Sequence, residues 1–436
     1  AEEIVDIYKE LIEMVQVIFP HNYTDVLKDD NGYYAICDVC GWETRYVDLT
    51  YTWNHDESAH SYTCTATATV GDFGQIITEK CTNVSGKTVL YPNALTHESG
   101  KTKYTATFNH FPSTEKEVAD VEYKVGDACA TRDASGKALN VIAARFANLV
   151  GGSADLMGPN KTAFKATDNG TFSPANRAGR TIEYGIREFA MSAVCAGISL
   201  HGGLRPFCAT FLVFADYLRP SLRVVSLMKQ PVIYVFTHDS IYVGEDGPTH
   251  QPIETMCSLR SIPGVQAIRP GDPEESMQAW NIAYASKDHP VCMAFTRQAL
   301  AVYEKADKNW KANMAEKGAY VVQEGSDTPD ITILASGSEV NMALKAASIA
   351  SGKTIRVVSV PDVKKFCELC SCEQEKIIGK AKRVVCTEAG ISTEWLQFAK
   401  KEDCFCIDRF GTSGPANKVA EYLGFTAEKL AELLAK

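Results

Sequence analysis

The sequence predicts an α/β protein, with two parallel or mixed-sheet α/β domains preceded by a small β-rich module. Three observations predict it. Across residues 50–108, threonine or another β-former alternates with short polar residues in "LTYTW", "YTCTATATV" and "KTKYTATF". A period of two gives a strand one buried and one exposed face. From Tyr123 onward, the apolar runs "PVIYVF", "ITILAS", "IRVVSV" and "RVVCTEA" alternate with "DPEESMQAWNIAYAS", "GSEVNMALKAASIAS" and "TAEKLAELLAK", which have helical period. Such alternation builds parallel sheets. Between the two α/β stretches lies the polar "KADKNWKANMAEKG", residues 305–318, whose composition suits a link. The expected domains are therefore 1–115, 121–310 and 317–436.

The totals narrow the function classes. A chain of 436 residues, 45% hydrophobic, has material for about three domains with real cores. Its formal net charge of -10 repels nucleic acid and anionic membranes, so any bound anion must be gripped by local arginines or lysines. No apolar run reaches the ~20 residues of a membrane helix, and the first residues lack a basic start followed by an apolar block. A cytoplasmic protein is expected. The 15 cysteines fit that compartment, because Cys195, Cys208, Cys257, Cys292 and Cys386 lie in apolar segments, where a thiol acts as a small hydrophobe.

In the N-terminal module, Cys37 and Cys40 are followed by His55 and His60 at a spacing that satisfies a zinc rule. "RYVDLTYTW" reads as strand, however, and offers no helix to present the histidines. An exposed or redox-sensitive thiol pair competes with zinc, and Cys64 with Cys81 forms a rival ligand set. The threonine-rich strands resemble repeats of bacterial cell-surface proteins.

In the α/β part, "TIEYGIREFAMSAVCAGISLHGG" places Arg187 and Glu188 at the start of a helix rich in small residues. "ATFLVFADYL" spaces Phe211, Phe214 and Tyr217 by three, one aromatic face that serves either a core or a site. "PVIYVF" reads as a strand buried on both faces, and the loop "THDSIYVGEDGPTHQP", residues 237–252, leaves its carboxyl end, where open α/β sheets hold ligands. Gly244 and Gly247 allow close backbone approach, and Pro248 stiffens the turn. Three readings of this loop stand side by side. It is a self-bonded turn, a metal site from His238, Asp239, Asp246 and His250, or a polar substrate site. The metal reading has the right residue types but no i, i+4 ligand pair. Arg297, ending the strand "MAFTRQAL", is either a phosphate clamp or half of a surface ion pair.

Taken together, "YKVGDACATRDASGKALN", "GGSADL", "YGIREFAMSAVCAGISLHGG", "ATFLVFADY", the 237–252 loop with its continuation "IETMCSLRSIPGVQAIRP", "FTRQAL", "ASGSEV" and "CIDRFGTSGPANKVAEYLGFT" closely resemble the transketolase family, in the family's order, from residue 121 to 436. The resemblance implies a pyrimidine-binding domain followed by the family's C-terminal domain, a homodimer, and transfer of a two-carbon ketol unit between sugar phosphates. It also implies thiamine diphosphate and magnesium as cofactors. Glu188 falls on the glutamate that hydrogen-bonds the aminopyrimidine ring and thereby favours its imino tautomer. Phe211, Phe214 and Tyr217 match the aromatic pocket around that ring. Arg132, His238 and Arg297 match phosphate contacts, Asp246 the carboxylate that reads a substrate hydroxyl, and His250 a catalytic and substrate-binding position in the same site. Thiamine-dependent keto-acid dehydrogenase β-subunits share the pyrimidine domain, but "GEDGPTHQP" and the terminal "IDRFGTSGPANKVAEYLGFT" are much closer to transketolase.

Two departures follow. Proline stands at 159 where the family usually has a phosphate-holding serine, so that hydroxyl is lost unless Asn160, Lys161 or a shifted loop replaces it. The larger departure is that no Gly-Asp-Gly occurs anywhere in the chain, although the family's diphosphate-binding domain carries that motif. A separate diphosphate-binding chain is therefore the expected partner, bringing the magnesium ligands with it. A catalytically silent binding or surface protein on the same scaffold is the alternative.

Overall fold

The computed structural model describes residues 22–56, 61–71, 74–89, 101–119, 121–165 and 170–436. The described residues from Asn22 to Val89 and from Thr102 to Val118 make one compact unit; Lys101 and the described residues from Ala119 to Lys436 belong to a second.

Among the described residues, the first unit is built from the strands β1 (Tyr23–Asp29), β2 (Gly32–Cys37), β3 (Glu43–Thr44), β4 (Val47–Asp56), β5 (Ser61–Val70), β6 (Gln75–Lys80), β7 (Asn83–Val89), β8 (Lys101–Thr107) and β9 (Thr114–Ala119). They form three three-stranded sheets, β1-β2-β3, β4-β5-β6 and β7-β8-β9. Strand β5 shows how the period of two works. Cys64, Ala66, Ala68 and Val70 face inward while Thr63, Thr65, Thr67 and Thr69 face outward, and Thr67 meets Thr78 across the β5–β6 ladder. Ala66, Ala68 and Val70 join Tyr23, Val26, Ala35 and Phe111 in a small core.

The second unit contains two five-stranded sheets. In the first, β11 (Leu149–Ser153), β12 (Arg205–Phe211), β13 (Ile233–Thr237), β14 (Gln266–Ile268) and β15 (Val291–Phe295) lie parallel in the order β11-β12-β13-β15-β14. A short antiparallel pair, β10 (Ala128–Ala130) with β16 (Ala299–Ala301), accompanies it. The second sheet has the order β17-β19-β18-β20-β21, from β17 (Tyr320–Gln323), β18 (Ile331–Ala335), β19 (Ile355–Ser359), β20 (Arg383–Glu388) and β21 (Cys404–Cys406). Only β17 runs antiparallel there, so this sheet is mixed. Strands β13, β15, β18 and β19 are buried at every position, as continuous apolar runs between two helical layers must be. Trp280, Phe295, Tyr320, Val357 and Leu430 share one core that crosses from the first sheet to the second.

The lysine-rich stretch expected to link the α/β halves is folded. It contains the helix Trp310–Lys317, whose Trp310 and Met314 are buried. Lys305 is buried against Asp272 at 2.5 Å and Glu274 at 2.7 Å. Buried ion pairs override the stretch's polar composition. Cys370 and Cys372, two residues apart, are joined through their sulfurs. Among the described residues, no helix is long and apolar enough to cross a membrane.

Candidate functional site

The site is built where three parallel strands end. Phe211 closes β12, Thr237 closes β13 and Thr296 follows β15, so the segments after them converge on one edge of the sheet. Arg132 enters from the first turn of the helix Thr131–Arg145, anchored where Thr131 and Thr296 exchange hydrogen bonds at 2.7–3.1 Å.

A continuous polar chain runs through it. Arg132 Nη1 donates to the Pro159 carbonyl at 3.3 Å and to His238 Nε2 at 3.2 Å. A guanidinium only donates, so Nε2 accepts and the imidazole carries its proton on Nδ1. That Nδ1–H donates to Thr237 Oγ1 at 2.8 Å, and the hydroxyl donates to Asn160 Oδ1 at 2.6 Å. Asn160 Nδ2 then donates to Ser153 Oγ at 3.2 Å, which lies 2.6 Å from Thr162 Oγ1. His238 itself is 3% exposed and has φ +60°, a left-handed backbone that costs a non-glycine residue about 1–3 kcal/mol.

Aromatic rings cover one side of this chain. Phe211 lies on the His238 ring, with centroids 3.7 Å apart, and is parallel to Phe214 at 5.9 Å. Tyr217 follows Phe214 at 6.0 Å, and His250 meets Phe214 edge-on at 5.4 Å. The spacing of three thus makes a ladder that climbs from buried Phe211 to Tyr217, which is 64% exposed.

Two arginines gather here without an ion pair among the described residues. Arg297 Nη1 donates to the Val243 carbonyl at 2.9 Å, and among the described residues neither Arg132 nor Arg297 has an ion-pair partner. Arg132 Nε is buried with no partner among them. Burial, and then the charges of Arg132, Arg297 and His250, push the His238 imidazole down to about 3. Burial also lowers the Arg132 guanidinium; Asp133 opposes this and Arg297 adds to it.

One expectation follows directly. The His238 ring resonances stay those of a neutral imidazole from pH 8 down to about pH 4. The folded value lies below the ordinary one near 6.5, so the unfolded chain takes up the proton first and His238 subtracts stability as pH falls below ~6.5. NMR titration of the ring checks this, and a midpoint near 6.5 contradicts it.

The remaining sequence-predicted residues lie as follows. Asp246 ends the 3-10 segment Ile241–Asp246, and its exposed carboxylate has no partner among the described residues. Gly244, φ +83°, and Gly247, φ +77°, do accept a backbone that other residues avoid, but they press on Gly414 and Ser413. Their role is to seat the loop on the C-terminal segment, where Gln251 Nε2 bonds the carbonyls of Ile241, Gly244 and Thr412 at 3.0–3.2 Å. Asp239 is not available as a metal ligand, since it is buried against Arg269 at 2.8 Å. Near Pro159, Asn160 is engaged in the polar chain and Lys161 lies 3.4 Å from Asp133.

Glu188 begins the helix Glu188–His201, buried, and its carboxylate has no hydrogen-bond partner among the described residues. No hydrogen bond joins it to the Arg132–His238 chain. Its helix packs on β12 and on the helix Ala215–Leu227. These two helices leave Phe189, Val194, Leu200, Val224 and Leu227 exposed, the last by 68%. In the first unit, Cys37 is buried and Cys40 exposed on the turn between β2 and β3, and the Cys64 amide donates to Cys81 Sγ at 3.2 Å. His60 and the side chain of His55 fall outside the described residues. Among those described, no three His, Cys, Asp or Glu side chains are placed to hold a metal.

Sequence reasoning missed Thr237, Ser153, Thr162 and Arg269, and gave Asn160 a different part. Their only signal was position, at strand ends and in the "GPNKT" turn.

Comparison with known proteins adds an independent line. The transketolase pyrimidine-binding domain matches residues 127–302, and the transketolase-like C-terminal domain matches residues 318–426. A transketolase of Treponema pallidum is 50% identical over 312 residues, covering 72% of this chain and 47% of the relative. A transketolase structure from Leishmania mexicana aligns with TM-score 0.67 and 35% identity, covering 72% of this chain and 46% of that one. A structure described as a split gene transketolase, inactive beta4 tetramer, aligns with TM-score 0.55 and 26% identity. It covers 70% of this chain and 97% of its own. The chain therefore spans about half the length of the curated relatives it matches, but almost all of that split-gene chain.

Proposed function

The chain belongs to the transketolase family through its pyrimidine-binding and C-terminal domains, and from that premise we propose that it is one half of a split transferase that moves a two-carbon ketol unit between sugar phosphates. The single observation that carries the substrate class is the cluster of Arg132, Arg297, His238 and His250. Its two arginines, neither with an ion-pair partner among the described residues, converge with the two imidazoles where β12, β13 and β15 end. A dianionic phosphate arriving there gives Arg132 Nε its missing acceptor and offsets the arginine charges that add to burial in keeping His238 deprotonated. Asp246, exposed and unpartnered, is left to accept from a sugar hydroxyl.

The residues present also fit thiamine diphosphate. Phe211, Phe214 and Tyr217 offer stacked aromatic faces, and Glu188 offers a buried carboxylate with oxygens to spare. Bound there, the cofactor supplies a thiazolium carbon able to take up and release the ketol unit. Glu188 holds the hydrogen bond to a ring nitrogen, the aromatic ladder orients the ring and excludes water, and His250 moves protons at the substrate oxygens. Magnesium and the diphosphate fall to a partner chain, which docks on the apolar face around Phe189, Leu200 and Leu227. The near-complete coverage of the inactive split-gene tetramer supports this division.

The test is reconstitution. With thiamine diphosphate and magnesium, the purified chain alone transfers no ketol unit from ketose to aldose phosphate; adding a diphosphate-binding transketolase chain restores transfer. Robust turnover by the chain alone would sink the partner requirement, and none with any such partner would sink the enzyme reading.

A further inference from the structure

Arg269, just after β14, is a fully buried arginine in the middle of a cluster that the reaction does not use. Its Nε donates to Asp239 Oδ2 at 2.8 Å, and its Nη1 to Glu339 Oε2 at 2.5 Å and the Ser336 carbonyl at 2.7 Å. Nη2 reaches Ser338 Oγ at 3.3 Å, and Glu388 Oε1 lies 3.6 Å from Nη1. Ser336, Ser338, Glu339 and Glu388 all sit at the ends of β18 and β20, so Arg269 reaches from the first sheet into the second. The backbone repeats the tie, because the Arg269 amide donates to the Pro361 carbonyl at 2.8 Å.

Asp239 is the neighbour of His238. Its Oδ1 is buried and has no hydrogen-bond partner among the described residues, which leaves the Arg269 bond as its anchor. A carboxylate buried on these terms stays put only while its one cation holds it. With Asp239 pinned on one side and Thr237 bonded to Asn160 on the other, the intervening His238 is kept at φ +60° with its ring under Phe211.

We propose that Arg269 is a positioning residue for the substrate phosphate: held by Glu339, it grips Asp239 and so keeps His238 in the left-handed backbone that sets its imidazole beside Arg132. The proposal rests on the reading of His238 and Arg132 as phosphate contacts. It assigns the C-terminal half a part in substrate binding, since Glu339 and Ser338 belong to that half.

Glu339→Gln tests it. Glu339 Oε2 accepts from both Arg269 and the Ala389 amide; a glutamine oxygen there still accepts from both but carries no charge, so the grip on Arg269 weakens. Inorganic phosphate is titrated into the full chain while the His238 ring is followed by NMR, with circular dichroism to establish folding. The expected result is a displaced His238 resonance and about tenfold weaker phosphate binding. In the reconstituted complex, KM for the ketose phosphate rises about tenfold while kcat stays within about twofold. If Glu339→Gln does not fold, Ser338→Ala removes one weaker contact and gives about a threefold effect on the same readouts. An unchanged phosphate midpoint in a folded variant overturns the assignment, whether or not the resonance moves. Phosphate binding needs no turnover, so a complex that never transfers ketol units defeats the functional reading while this measurement still decides the role of Arg269.

Discussion

Replacing Glu188 by alanine lowers ketol transfer in the reconstituted complex by on the order of a thousandfold or more, the scale of a lost positioned proton-transfer partner. The fold survives. Glu188 has no hydrogen bond among the described residues, so truncation orphans no partner, and its position at a helix start tolerates alanine at a cost of about 1 kcal/mol or less. The unfolding midpoint therefore shifts by no more than about 3 °C. Transfer assays on the parent and variant complexes, with calorimetry of both, separate the two effects. Residual activity within about tenfold of the parent shows that the cofactor-facing role belongs to another group.

Arg260→Ala produces the largest expected change in stability. Arg260, whose side chain is 1% exposed, binds Glu388 through both Nη atoms at 2.9 Å and Glu394 at 2.6 Å. Removing it leaves two carboxylates in the interior with their countercharge reduced to Arg269, a loss of about 3–5 kcal/mol. The pH dependence identifies the cause. In the parent, burial raises Glu388, but the arginine charges outweigh it and hold the carboxyl below its ordinary value. That stabilisation is present above the unfolded value and fades as pH falls. In the variant, burial acts with much less opposition, the folded value moves above the unfolded one, and stability improves as pH falls. Denaturant unfolding at pH 8 and pH 5 checks this: the deficit is smaller at pH 5, and an equal deficit at both refutes the electrostatic account.

Much of this was legible in the chain itself. Period two in "YTCTATATV" specified β5 and which face of it is buried, and the run "PVIYVF" specified β13 and a site loop at its carboxyl end. Chemistry-bearing side chains could be singled out because their types are distinctive: His238 and His250 lie against the rings of Phe211 and Phe214, and Arg132 bonds His238. What stayed hidden depends on partners far apart in sequence. Asp239 looked like a possible ligand because its ionisable side chain was visible and Arg269, thirty positions away, was not tied to it. Lys305 and Trp310 looked like link residues because local polarity does not report the Asp272 pocket that buries the lysine. The left-handed backbone of His238 has no local signal, since glycine or asparagine is the residue that announces such a geometry.

The cluster around Arg260 and Arg269 also limits how a gene for this chain can be divided. A cut between the two sheets would part Arg260 and Arg269 from Glu339, Glu388 and Glu394, and each product would lose the buried ion pairs that now join them. Such a cut costs more than one placed outside the pair of sheets.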